Sequence, residues 1–139
     1  MAGFSDAGSW VTALSTGLNS LAASTLALSA AITTEQVSSK DKFYIKLRGN
    51  LASFAPSAGS AWIIHILDAV DSTPTNYADN CLFTRVAVGD FKSGTAAKYI
   101  YVPRRLLRSA SFKIGFEHTS TVNMNASGST IEYQMDTAS

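Results

Sequence analysis

Residues 43–48 read Phe43-Tyr44-Ile45-Lys46-Leu47-Arg48, with apolar side chains at the odd positions and polar or amphipathic ones at the even positions. A period of two puts one set on each face of an extended chain, whereas a helix would scatter both sets around its circumference. The segment is therefore a strand with one buried and one wet face, as in an antiparallel sheet. Downstream, Ala61-Trp62-Ile63-Ile64-His65-Ile66-Leu67-Asp68-Ala69-Val70 is almost uniformly apolar. Trp62, Ile64 and Ile66 fall on one face, and Ile63, His65 and Leu67 on the other. A strand of this kind needs cover on both sides, from the sandwich on one and from an arm or a neighbouring subunit on the other.

Leu82–Val88, Lys98–Val102, Phe112–Phe116 and Thr130–Met135 are further strand candidates, and Val122–Ala126 is a weaker one. Leu51–Gly59, with Pro56 and Gly59, and Asp71–Asn80, with Pro74, read as loops. Short strands at this spacing, with no helix-length periodic segment between them, predict an all-β fold. The expected architecture is an antiparallel β-sandwich of jelly-roll type over residues 25–139. Its expected core is Phe43, Ile45, Leu47, Trp62, Ile64, Ile66, Phe112, Ile114 and Phe116.

Residues 1–24 read as an N-terminal arm, helical or extended. Val11, Leu14, Leu18 and Leu21 recur at spacings of three and four, the stripe of an amphipathic helix. The opposite face carries Ser, Thr and Asn but no charge, so such a helix would gain little by sitting alone in water. From Leu26 to Ile32 the pattern alternates and reads as a strand; one continuous helix from Trp10 to Ile32 is the competing reading. On the first reading Phe4, Trp10, Leu14, Leu18 and Leu21 would anchor the arm on a partner. The uncharged stretch 10–32 is broken by too many hydroxyl and amide side chains for a membrane span. With Lys40 as the first basic residue, no secretion signal is expected, so the compartment should be the cytoplasm or a particle assembled there.

The chain has 139 residues, enough for one core, and only 15% of them are charged, against about 25% in an average domain. A weakly charged polar surface suits a protein packed against other proteins. Eleven basic against ten acidic residues argue against direct nucleic-acid binding. A single cysteine, Cys81, excludes an intrachain disulfide. With only His65 and His118 beside it, no transition-metal centre or cofactor is expected. Phosphate-binding glycine loops and the usual hydrolase and metalloprotease motifs are missing, so no enzyme is expected. Asp68, Asp71, Asn76 and Asp79 could be read as a calcium site, but their spacing fits turn-forming residues better. Asn125-Ala126-Ser127 spells a glycosylation sequon that should be idle without secretion. Arg104, Arg105 and Arg108 form the one basic cluster and are candidate partner contacts.

From Leu51 onward, the chain resembles small structural proteins of tailed bacteriophages. The likeness rests on Leu51-Ala52-Ser53-Phe54-Ala55-Pro56-Ser57-Ala58-Gly59, Asn76-Tyr77-Ala78-Asp79, Gly94-Thr95-Ala96-Ala97, Val102-Pro103, Phe112-Lys113-Ile114 and Ser127–Tyr133, in that order. Leu18-Asn19-Ser20-Leu21-Ala22 adds to it. Arg104-Arg105 stand where that group tends to have a Pro-Pro-Gly turn, and Glu117-His118-Thr119 where it usually has a basic residue followed by Asn. The resemblance implies a head decoration or cement protein of jelly-roll fold on the virion surface. It would be bound to the major capsid protein, self-associated as a homotrimer, and would resist the pressure of packaged DNA. The alternative is a β-sandwich module of a phage tail or fibre that binds a receptor or carbohydrate, for which Tyr44, Tyr99, Tyr101, Trp62 and Asp68 could supply rings and a carboxylate.

Overall fold

The computed structural model describes residues 9–33, 42–68, 82–107 and 111–138. Its strands are β1 (Val11–Leu14), β2 (Ala27–Leu28), β3 (Ile32–Thr33), β4 (Lys42–Leu51), β5 (Ala61–Asp68), β6 (Leu82–Asp90), β7 (Lys98–Leu106), β8 (Ser111–His118) and β9 (Thr130–Ala138). They form two antiparallel sheets. The first has the order β1-β9-β4-β7 and the second β2-β8-β5-β6, with β3 continuing the line of β2 along β8. Among the described strands, β2 and β3 share a sheet, as do the antiparallel neighbours β5 and β6, and all other consecutive strands lie in opposite sheets. This interleaving is the double Greek key of a jelly roll, as the alternation predicts.

Between the sheets lie Ile45, Leu47, Leu51, Ile64, Ile66, Ile100, Val102, Phe112, Ile114, Phe116 and Ile131. All are residues of the inward parity on their strands. Seven of the nine expected core residues are buried here, and Trp62 packs half-buried against the cluster. The side chain of Phe43 lies outside the described residues. The weak strand expected at Val122–Ala126 is a loop, in which Met124 turns inward and Val122 stays exposed.

The N-terminal segment departs from the expected arm. It begins as β1, paired with β9 through Val11–Tyr133 and Thr12–Glu132, and then makes a 3-10 turn over Thr16–Leu18. Leu14, Leu18 and Leu21 are 4%, 0% and 6% exposed inside the domain's own core, so they cannot be the partner contacts expected of them. Their helix-like spacing has another cause: the chain folds over the end of the sandwich, and each leucine drops into the same core from a different turn. Ser20 and Ser24, at φ 54° and 59°, make the reversals that end any helix here.

The strand expected over 26–32 is split at Ser29. The Ser29 hydroxyl accepts the Ile114 N–H at 2.9 Å and donates to the Ala30 carbonyl, replacing a backbone rung. Across this break the parity changes, so Ala27 and Ile32 both face the core while Leu28 is 43% exposed. Leu26 and Leu28 instead lie over the outer surface of β8, where a Cβ on Gly115 would come within 3.0 Å of Leu26 and 3.4 Å of Leu28. The outer residues of β5, Ile63, His65 and Leu67, are 7%, 1% and 3% exposed within the single chain. This strand therefore does not require a second subunit to cover it.

Candidate functional site

Four connections meet at one end of the sandwich: residues 15–26, 52–60, 91–97 and 119–129. Their Ser, Thr and Asn side chains bond one loop to the next. Ser129 Oγ accepts the Ala52 N–H and Ser120 Oγ accepts the Ser57 N–H, each at 2.9 Å. Asn125 Nδ2 donates to the Ser53 carbonyl at 2.9 Å, and Thr119 Oγ1 accepts the Ala61 N–H at 2.8 Å. The same Asn125 accepts the Ser127 N–H through Oδ1, so the sequon is an Asx turn within the cluster. Hydroxyl-rich composition here saturates loop backbone that would otherwise be left unpaired near the core.

His118 closes this end from beneath. It is fully buried, accepts the Ser120 N–H at Nδ1 and donates from Nε2 to the Leu21 carbonyl. The rings of Phe54 and Phe91 each lie 6.3 Å from it and meet each other edge-on at 5.3 Å. His65 is also buried, with Nε2 2.6 Å from Glu117 Oε1 on the outer side of the second sheet. The two histidines point to opposite faces of their sheet and form no common centre.

The open flank of the sandwich lies between β6 and β7, the edge strands of the two sheets. Near the loop cluster this flank holds a cleft of about 440 Å³ with Trp62, Asp90, Phe91, Lys92 and Tyr99 among its lining residues. Trp62 and Gly89 are register partners, and the indole lies against the glycine so closely that a Cβ would be 2.4 Å from Cζ2. The 93–97 turn is held from below by Lys98, whose Nζ donates to the Gly94 and Ala96 carbonyls at 2.7 Å each. A second cleft of about 350 Å³ lies farther along the flank among Ile66, Asp68, Arg85, Arg105 and Leu107.

No family model and no curated protein matches the chain.

Of the residues expected to meet a partner, the structure brings few together. Trp10 is half-buried beneath the Arg48 guanidinium, 4.2 Å from its ring, and Arg48 bonds Glu132 at 3.2 Å. The arginine cluster is divided. A bulge where β7 passes Ile45–Leu47 turns Arg104 outward over the Tyr44 ring at 4.4 Å, while Arg105 pairs with Ile45 and lines the second cleft. Phe4 and Arg108 lie outside the described residues, as do Cys81 and the 71–79 part of the acidic loop. Among the described residues no group of three or more His, Cys, Asp or Glu could hold a metal, and no helix is long and apolar enough to cross a membrane.

The ring-bearing residues weighed for carbohydrate divide as well. Tyr44 and Tyr101 lie on the outer face of the first sheet, and Tyr101 is 58% exposed. Tyr99, the register partner of Asn50, shares that outer face with Tyr101; Trp62 lies at the first cleft and Asp68 belongs to the second. Phe91, Asp90 and Lys92 were not singled out by the sequence. Their only local signal is the Gly89-Asp90 turn followed by an isolated aromatic residue.

Proposed function

We propose that this chain is a structural virion protein of a tailed bacteriophage that decorates and cements the capsid shell, with the major capsid protein as its partner and a homotrimer as its assembly. One observation supports this most. The motifs that carry the resemblance fall on the jelly-roll junctions in order. Leu51–Gly59 ends β4 and forms the link to β5, and Gly94–Ala97 is the turn into β7. Pro103 sits at the β7 bulge, Phe112-Lys113 opens β8, and Ser127–Tyr133 leads into β9. Asn76–Asp79 lies outside the described residues. Several of these segments also build the hydroxyl-laced end of the sandwich, so the likeness concerns how one rigid end is assembled.

Cementing a shell requires no bond chemistry, only a stiff surface that fits between subunits, and a cross-bonded loop end provides stiffness. Exposed Val88, Tyr99, Tyr101 and Leu106 on the two edge strands are the side chains that such contacts would use, since Tyr is enriched at interfaces. Imaging of intact particles that carry the chain tests the proposal. Decoration requires on the order of hundreds of copies on symmetry-related shell positions. A few copies at one vertex would instead favour the tail or fibre module.

A further inference from the structure

We propose that His118 makes the loop end of the sandwich an acid-sensitive fastening. Both ring nitrogens are committed to backbone groups that cannot exchange roles. Nε2 lies 2.7 Å from the Leu21 carbonyl, which only accepts, and Nδ1 lies 3.1 Å from the Ser120 N–H, which only donates. The ring that fits is therefore the neutral tautomer with its one proton on Nε2. A second proton would go to Nδ1 and set a donor against a donor. It would also create a charge at a fully buried site, where an ion without a partner is costly. Displacing the ring reaches three of the four connections. Ser120 Oγ accepts the Ser57 and Val122 N–H groups, and the Leu21 carbonyl that takes the His118 bond also takes the Met124 N–H.

Among the described residues, no carboxylate faces the ring. Segments 15–26, 52–60 and 119–129 contain no charged residue, and 91–97 contains only Lys92, which is exposed. Lys98 turns to the Gly94 and Ala96 carbonyls. Asp90, the register partner of Ala61, is exposed on the outer face of the second sheet, and Glu117 bonds His65 on that same face. The Phe54 and Phe91 rings lie 6.3 Å away, beyond the reach of about 6 Å at which a ring face holds a cation. An imidazole in an unfolded chain takes up a proton as the pH falls through about 6.5. The fastened form has no place for that proton, so unfolding takes it up and stability is lost as the pH falls below this value. For one proton the limit is about a tenfold rise in the unfolding constant per pH unit. The proposal does not rest on the virion reading, because stability is measured on the isolated protein.

The test is denaturant unfolding of the full chain between about pH 7.5 and about pH 5, across the ordinary imidazole range. The unfolding constant of the parent should rise by about tenfold or more over this range. His118→Asn offers Oδ1 to the Ser120 N–H as an Asx turn, and His118→Gln extends a carboxamide toward Leu21. Neither side chain titrates, so both variants should lose that rise, whatever their stability at neutral pH. His65→Gln should keep it. Nitrogen NMR of the parent ring needs no variant: at the acid end of the range, the folded chain should still show a bare Nδ1 and a protonated Nε2 at His118. A parent whose stability does not change with pH would overturn the proposal, as would a rise that survives in His118→Asn and His118→Gln or disappears in His65→Gln. So would a His118 ring that carries both protons while the Ser120 and Met124 amides stay protected from exchange.

Discussion

His118 Nε2 donates to the carbonyl oxygen of Leu21 at 2.7 Å, joining the end of β8 to a residue 97 positions earlier in the chain. The bond is one of several in the same seam. Ser24 N–H donates to the His118 carbonyl at 2.8 Å, Met124 N–H to Leu21 and Ser20 N–H to Asn125, each at 3.0 Å. The N-terminal segment is thereby part of the sandwich end and shares its stability.

Replacing His118 with Leu removes the donor to Leu21, whose carbonyl keeps the Met124 N–H, and strands the Ser120 N–H without its acceptor. One buried group left unsatisfied costs about 1–3 kcal/mol, and the loss should be of that size. Denaturant titration should show a lower midpoint with an unchanged slope.

Removal of residues 1–24 deletes β1 and three core leucines. The truncated chain should lose its cooperative unfolding transition, seen by circular dichroism and tryptophan fluorescence together. Leu18→Ala, a single change at a fully buried site, should cost about 2–5 kcal/mol. A truncated protein with near-parental stability would mean that the first strand is dispensable.

Gly89→Ala forces the Trp62 indole out of its position, since the new carbon would sit 2.4–2.9 Å from three ring atoms. Overpacking of this kind costs about 1–3 kcal/mol. In the Trp62→Leu background the same glycine change should be nearly neutral, and a double-mutant cycle of melting curves reads the coupling directly.

Arg48 lies between the Trp10 ring and the Glu132 carboxylate but is 47% exposed. Arg48→Ala should therefore cost less than about 1 kcal/mol, with the effect shrinking at high salt. Melting temperatures at low and high ionic strength check both parts.

Strands β4, β5, β8 and β9 were legible because each keeps one parity toward the core, as Ile45 and Leu47 or Phe112, Ile114 and Phe116 do, whereas β6 and β7 change parity at a bulge. The N-terminal leucines misled for a physical reason. Spacings of three and four describe a helix only if the backbone between them is helical, and the reversals at Ser20 and Ser24 interrupt it. The Ser29 break was equally hidden, because a serine that replaces a ladder rung looks like any polar residue in an alternating run. At the cleft, Trp62 and Ile100 come from different sheets, and only the placement of β6 beside β7 at the open flank brings them to one lining. Arg104 and Arg105 are adjacent in the chain but point to opposite sides of β7 around its bulge, so their clustering in sequence did not survive folding.

The central claim, that this jelly roll cements a capsid shell, is tested most directly by adding the purified chain to particles that lack it and measuring shell survival during heating. The account predicts saturable binding at on the order of hundreds of sites per particle, together with a higher temperature for DNA release. Particles that bind no chain, or that bind it at a single vertex and open at the same temperature as bare shells, would contradict it.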